Sequence, residues 1–443
     1  TDTPRVRGSR KIALELLLSD HVGDCRPPCV RACPAKTDCQ GYVGLIANGE
    51  YKEAVKLIKE QLPLPASIGR VCPHPCEEAC RRQMVEEPIS IMWLKRFVAD
   101  IDLRDKEEFI PEIKPATGKR VAVIGGGPSG LTTAYYLAKE GHQVVIYESM
   151  PKLGGMLRYG IPQYRLPKEV LDQEIAIIEK MGVKMITNIR IGKDVQLSHL
   201  RETFDAVYTS IGAWNSTKLN CPGEELEGVI GGIEFLTKFA TNQPINVGGR
   251  IAVVGGGNTA MDACRTAIRL GAKEVFNLYR RTKTEMPAED VEIKEAEEEG
   301  ITFKFLVSPI EIIGEDGKVK KVRLQKMQLG EPDARGRRSP VPIEGEEEIL
   351  EVDCVISAIG QSVNIEGLEE LELTRRGTIH ADENSFLTNL PGVFAGGDAT
   401  NKGPSIAIEA IGEGKRASQV ICRYLEGELI PHKEPYYVTN DDL

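Results

Sequence analysis

The stretch RVAVIGGGPSG (120–130) joins a run of apolar, β-favouring residues to a glycine-rich turn. Residues 121–124 predict a buried strand, 131–139 a helix stopped by Gly141, and 143–147 a second strand that ends at Glu148. Gly125 permits the tight turn, Gly127 lets backbone approach a pyrophosphate, and Gly130 lets helix and strand pack closely. Pro128 and Ser129 complete the loop, and the helix N-terminus behind them favours phosphate. Glu148, 23 residues after Gly125, is placed to accept hydrogen bonds from a ribose diol. Strand, loop, helix, strand and acid together predict a dinucleotide-binding unit.

The same design returns 130 residues later as IAVVGGGNTA (251–260). Gly255, Gly257, Asn258 and Thr259 form its loop, a helix is expected over 261–270 and a strand over 274–279. This strand ends in Arg280-Arg281 rather than an acid. Arginine clamps a 2′-phosphate, whereas a carboxylate repels it, so NADP(H) is preferred over NAD(H). Two such units indicate an α/β chain with two Rossmann-like dinucleotide-binding domains.

The surroundings agree with a large enzyme subunit. A chain of 443 residues suggests roughly three domains. With 66 acidic against 56 basic residues and a net charge of −10, the surface does not suit non-specific nucleic-acid binding. No run of 18 apolar residues is present, and no signal peptide opens the chain, so a cytoplasmic location is expected. The chain begins at Thr1 without Met, as expected of a processed chain or a piece of a longer polypeptide. Residues 1–101 have helical periodicity, at 12–18 and 51–58 for example, and 102–119 is charged and Pro-containing, as a linker would be. Around Glu315-Asp316-Gly317 two short strands suggest a hairpin within 310–329, and the polar, Pro/Gly-rich 331–348 reads as a surface loop.

Seven of the 11 cysteines fall between Cys25 and Cys80. An odd cluster without a secretory signal fits metal binding better than disulfides. The runs are Cys25-x3-Cys29-x3-Cys33-Pro34 with Cys39 beyond, and Cys72-Pro-His-Pro-Cys76-x3-Cys80. Soft thiolates favour iron–sulfur clusters, with zinc as the alternative. Cys221, Cys264, Cys354 and Cys422 stand alone and read as small buried residues.

Over residues 20–420 the chain resembles the glutamate synthase small (β) subunit, the large subunit of NADPH-dependent ferredoxin:NAD transhydrogenase, and the cluster-plus-flavin segment of dihydropyrimidine dehydrogenase. The carrying stretches are MPKLGGMLRYGIPQYRLP (150–167), YRRTKTEMPA (279–288) and GVFAGGDAT (392–400). The resemblance implies FAD on the first glycine motif and NAD(P)H on the second. It adds Gly155, Met156, Leu157, Arg165, Val195, Gly212, Gly360, Gly397, Ser405 and Ile406 to the cofactor-binding set, with Asp398 on the ribityl chain. DAVYTSIG (205–212) and DCVISAIG (353–360) would join the two domains. An NAD(P)H domain at 214–359 would then be inserted into an FAD domain at 120–213 and 360–443. The helix within 403–417 would point its N-terminus at the flavin ring.

The resemblance also implies [4Fe–4S] clusters, with Cys25, Cys29 and Cys80 for one and Cys33, Cys72 and Cys76 for another. This chain departs from that pattern. Val22-Gly23 stand where the family has a further Cys, and Lys95-Arg96 stand near its non-Cys ligand. Cys39 is the candidate for one vacancy and His21 for the other.

NAD(P)H gives electrons in pairs and a cubane cluster takes them singly; a flavin can do both. The expected function is therefore an NADPH-dependent iron–sulfur flavoprotein subunit serving partner subunits that carry the terminal chemistry. An electron-bifurcating or hydrogenase/formate dehydrogenase-like complex is favoured over glutamate synthase. A redox-sensing or scaffold module without turnover is the alternative of another class. Hydride transfer obliges no acid or base, so no catalytic side chain is expected. The lack of Cys-x-x-Cys near the flavin segments argues against a thioredoxin reductase-type disulfide mechanism.

Overall fold

The structure, a computed structural model, describes residues 2–19, 24–105, 107–332, 338–437 and 439. The first glycine motif lies in a parallel sheet with spatial order Val393–Ala395, Ala206–Thr209, Arg120–Ile124, Gln143–Tyr147, Lys184–Ile186. Its helix, Pro128–Lys139, starts at the loop, with Pro at the first helical position where its missing N–H costs nothing. The second motif lies in another parallel sheet, ordered Val229–Gly231, Cys354–Ser357, Arg250–Val254, Glu274–Tyr279, Thr302–Phe305.

The duplication extends to details. Asp205 accepts from Arg120 N at 2.8 Å, and Asp353 accepts from Arg250 N at 2.8 Å. Each acid thus ties the start of the central strand to the strand beside it. After each of those neighbouring strands the chain enters a short antiparallel ladder, Asn215–Ser216 against Gln361–Ser362. This ladder carries the chain between the two sheets.

One expectation is overturned. Residues 331–332 and 338–348 are strand rather than loop, because Lys318–Pro332 and Arg338–Glu351 form long antiparallel strands. Arg338–Glu351 is an edge strand, paired on one side only. Pro340 and Pro342, two residues apart, share one side of it, and an edge strand tolerates Pro where no ladder N–H is needed. Polar, Pro-rich composition therefore disguised a strand. The turn at Asp316-Gly317, both with positive φ, joins Val307–Glu315 to Lys318–Pro332.

The cysteine-bearing helices pack on the first sheet's unit rather than standing apart. Ile58, Leu62, Leu64 and Ile68 belong to one apolar core with Leu131, Leu171 and Ile411. Buried polar bonds lock the join. Tyr136 Oη donates to Lys59 O at 3.1 Å, and Glu174 accepts from Ala66 N at 2.6 Å and Ser67 N at 2.9 Å. The segment expected as a linker begins inside helix Ile91–Arg104, and Asp102 is buried there against Lys59 Nζ at 2.8 Å. Phe109 continues the anchoring: its N–H donates to Asp102 and its carbonyl accepts from Lys59.

Candidate functional site

A cleft of about 430 Å³ opens at the carboxyl end of the first sheet. Gly125, Gly127, Pro128 and Ser129 line it, with Glu148 at the end of the next strand. Gly155, Met156, Leu157 and Gly212 line another wall, and Gly397, Asp398, Ser405 and Ile406 a third. Asn258 and Thr259 reach the same cleft from the second glycine motif. Gly130 sits behind the loop, where a Cβ would stand 2.0 Å from Gly125 O.

The loop is pre-shaped. Gly125 has φ +99°, and a Cβ there would meet Ser210 O at 2.4 Å. Glu148 is buried, and its carboxylate accepts from Gly126 N at 2.8 Å and Met150 N at 2.7 Å. Burial raises its pKa. Asp398 accepts from Ser405 N at 3.0 Å, and burial lifts its carboxyl to about 6.

Other expected residues take different places. Val195 does not line the cleft; Ile189, Arg190 and Ile191 do. A turn closed by Gly192 N donating to Val195 O at 2.7 Å folds Val195 into the core beside Ile191. Arg165 lines the cleft, but its guanidinium is held by Asp262 and Glu292, each at 2.7 Å. Two buried carboxylates pair with that cation, so Arg165 ties the two sheets' units together at the edge of the cleft. Burial raises the Asp262 carboxyl to about 7 against the opposing pull of Arg165. Gly360 lies outside the cleft, and its carbonyl accepts from Thr217 N.

Gly255 and Gly257 shape the second turn without lining the cleft. Arg280 is exposed at the strand end, whereas Arg281 is buried and its Nε donates to Arg338 O at 2.9 Å. The two arginines thus do different work, with Arg281 holding the long hairpin. Sequence reasoning missed Arg190, Trp214, Val71 and Pro73, all of which line the cleft. Val71 and Pro73 had a signal, since they flank Cys72.

The thiols are all free. Cys33, Cys39, Cys72 and Cys76 line a small cavity together with Lys95 and Ile408. Cys39 stands within hydrogen-bonding reach of Cys29, Cys33 and Cys76. Cys25 is exposed, Cys29 half-buried and Cys80 buried. Asp24 ties their segments by pairing with Arg81 at 2.8 Å and Arg31 at 3.4 Å. His21 lies outside the described residues. Among the described residues no three His, Cys, Asp or Glu side chains gather as a single-ion site. A grouping of thiols round a void suits a cluster better than one zinc.

The comparisons with known proteins fall on these two regions. Residues 119–414 match the family described as pyridine nucleotide-disulphide oxidoreductase. The chain belongs to the pyridine nucleotide-disulphide oxidoreductase family. Residues 20–107 match dihydropyrimidine dehydrogenase domain II, 4Fe-4S cluster. FAD, NADP(H) and 4Fe–4S centres are thus the cofactors of this oxidoreductase chain.

The chain is 42% identical to the NADP(+)-dependent formate dehydrogenase subunit beta of Moorella thermoacetica, over 92% of this chain and 61% of that one. It is 40% identical to the NADPH-Fe(3+) oxidoreductase subunit beta of Geobacter sulfurreducens, over 94% of this chain and 65% of that one. It therefore spans less than two thirds of either relative. The glutamate synthase [NADPH] small chain of Escherichia coli is 36% identical over 90% of this chain and 89% of its own. Among solved structures, FprA from Mycobacterium tuberculosis in complex with NADPH shares the fold, with TM-score 0.62 and 22% identity, over 71% of this chain and 85% of FprA.

The residues present fit these cofactors. The first loop is a backbone cradle that a Cβ would obstruct, and the thiols supply soft donors. No Cys-x-x-Cys occurs, so the disulphide chemistry in the family's description has no such dithiol here. No helix among the described residues is long and apolar enough to cross a membrane.

Proposed function

We propose that this chain is the NADPH-facing subunit of a larger redox complex, passing electrons between NADPH and iron–sulfur centres by way of FAD. One observation carries the reading: the cleft and the thiol cavity share their walls. Val71 and Pro73 line the cleft while Cys72, between them, lines the thiol cavity. Ile406 and Ala407 line the cleft while Ile408 lines the thiol cavity. On each side, consecutive residues of one segment line the two spaces.

FAD, when bound, supplies exchange between paired and single electrons. The chain's residues do the placing. Gly125, Gly127 and the start of helix Pro128–Lys139 would hold a pyrophosphate with backbone, Glu148 would hold the ribose, and Asp398 with Gly397 would hold the ribityl chain. Asn258 and Thr259 bring the second dinucleotide loop to the same cleft, so both sites open toward one space. Arg280 is the cation offered to a 2′-phosphate. Leu157, Ile191 and Ile406 give the cleft apolar walls that exclude water.

The terminal chemistry belongs to partner subunits. The greater identity to the formate dehydrogenase subunit, 42% against 36% for the glutamate synthase small chain, favours a cluster-bearing oxidoreductase complex as the setting. The test is anaerobic reduction of a one-electron viologen dye by the purified chain with NADPH. Turnover with FAD and iron both present is expected. A fully loaded chain without turnover would favour a redox sensor, and a preparation holding neither iron nor flavin would remove the proposal.

A further inference from the structure

The structure assigns Cys39 as the fourth thiolate of an all-cysteine cluster site with Cys33, Cys72 and Cys76, and Lys95 as the buried counter-charge of that cluster. The assignment rests on the proposed function above and adds the ligand set and its charge balance. Two independent observations carry it.

The first is placement. Cys33, Cys39, Cys72 and Cys76 all line one cavity, and Cys29 does not. Cys39 is 2% exposed and heads helix Cys39–Ala47. Asp38 caps that helix by accepting from Gly41 N at 2.9 Å, which fixes where the Cys39 side chain starts. Four thiolates complete the coordination of a cubane cluster without a foreign ligand. Cys25, Cys29 and Cys80 remain outside this cavity.

The second is an unbalanced charge. Lys95, in helix Ile91–Arg104, is 6% exposed and lines the same cavity. Among the described residues its ammonium has no carboxylate partner, and its charge acts on the Cys33, Cys72 and Cys76 thiols around the cavity. The neighbouring buried lysine, Lys59, shows the usual solution, an Asp102 carboxylate at 2.8 Å. A buried cation without compensation is strongly unfavourable. Four thiolates round an iron–sulfide core leave the site anionic, which supplies the missing partner. A cation held there stabilises the reduced, more negative cluster and raises its potential.

The experiment measures iron, acid-labile sulfide and FAD in the anaerobically purified full chain, with spin-resonance spectra of the reduced protein. Cys39→Ser and Cys39→Ala are expected to lose one cluster's share of iron and sulfide, or to show a three-iron signal, while FAD content stays at the wild-type level. The retained FAD reports an intact fold, and Cys39→Ser keeps the side-chain volume. Cys221→Ser, remote from the cavity, serves as the unchanged control. Lys95→Gln is expected to keep its iron and to move one cluster's midpoint potential to a more negative value. Unchanged iron, sulfide and spectra in Cys39→Ala would overturn the ligand assignment, and an unmoved midpoint in Lys95→Gln would overturn the counter-charge. A wild-type chain holding FAD without iron would sink the proposed function itself, which is a distinguishable result.

Discussion

A Cβ on Gly412 would stand 2.6 Å from the carbonyl oxygen of Pro34. The helix Ala407–Leu425 therefore lies directly on the backbone that follows Cys33, while its first residue lines the cleft. This contact ties the position of the thiol cavity to the position of the cleft. Gly412→Leu forces the helix and the Cys33-Pro34 segment apart, at a cost of about 1–3 kcal/mol for overpacking. The expected outcome is a chain that keeps FAD, holds less iron per flavin and reduces viologen more slowly. Iron-to-flavin ratio and dye reduction measure it; an unchanged ratio and rate would show that the contact is not needed.

Glu174 predicts a pH dependence of the join between the cluster-bearing helices and the first sheet's unit. Its carboxylate accepts from Ala66 N and Ser67 N, and burial raises its pKa from 4.5 to about 7. Because the folded value lies above the unfolded one, the folded chain retains a proton that the unfolded chain has released. Stability therefore falls as pH rises from about 4.5 to about 7, and the loss is complete above that window. The shift corresponds to roughly 3 kcal/mol. Glu174→Gln removes this slope, so urea midpoints of the two proteins should converge or cross between pH 5 and pH 8. Parallel curves across that range would contradict the assignment.

How much of this was legible in the sequence depended on whether local chemistry or tertiary context set the outcome. Both glycine loops were legible because their strand, turn and helix signals are contiguous; the strands at 143–147 and 274–279 lie where periodicity places them. The helix over 12–18 was legible as a helix, yet Ile12, Leu14 and Leu17 are exposed, since periodicity does not say what covers a face. The strand Arg338–Glu351 was hidden because its pairing partner, not its composition, makes it a strand. The role of Arg165 was hidden because Asp262 and Glu292 lie far along the chain. Val71 and Pro73 flank Cys72 in the sequence, but their place in the cleft follows from the packing of the cysteine-bearing helices on the first unit.

Arg280 and Arg281, both expected at the 2′-phosphate, have different surroundings. Arg280 is exposed and Arg281 is bonded to Arg338 O. Arg280→Ala removes a charged hydrogen-bond donor, worth about 1.5–3 kcal/mol, and is expected to raise the NADPH KM about 10- to 100-fold. The NADH KM should change little, since NADH lacks the 2′-phosphate. Arg281→Ala is expected to act mainly on stability by freeing the hairpin strand. Steady-state kinetics with both nucleotides and a melting curve for each variant separate the two. Equal losses with NADH and NADPH in Arg280→Ala would refute the clamp.

Arg165 and Asp262 set the cost of separating the two dinucleotide-binding units. Their contact at 2.7 Å is buried, with side chains 10% and 4% exposed, and Arg165 also holds Glu292. Glu292 keeps a second cation, Arg265 at 2.9 Å, whereas among the described residues Asp262 has no cation other than Arg165 within 4 Å. Arg165→Ala therefore strands Asp262, and breaking one side of a buried pair costs roughly 3–5 kcal/mol. Burial already raises the Asp262 carboxyl to about 7, so losing Arg165 should push it higher and make the variant least stable at alkaline pH. Replacing both partners by apolar groups of similar volume removes the stranded charge. Melting temperatures should thus fall sharply in Arg165→Ala, fall further from pH 6 to pH 8.5, and recover most of the loss in Arg165→Met/Asp262→Leu. If the double variant melts no higher than the single one, the penalty comes from lost packing and not from the uncompensated carboxylate.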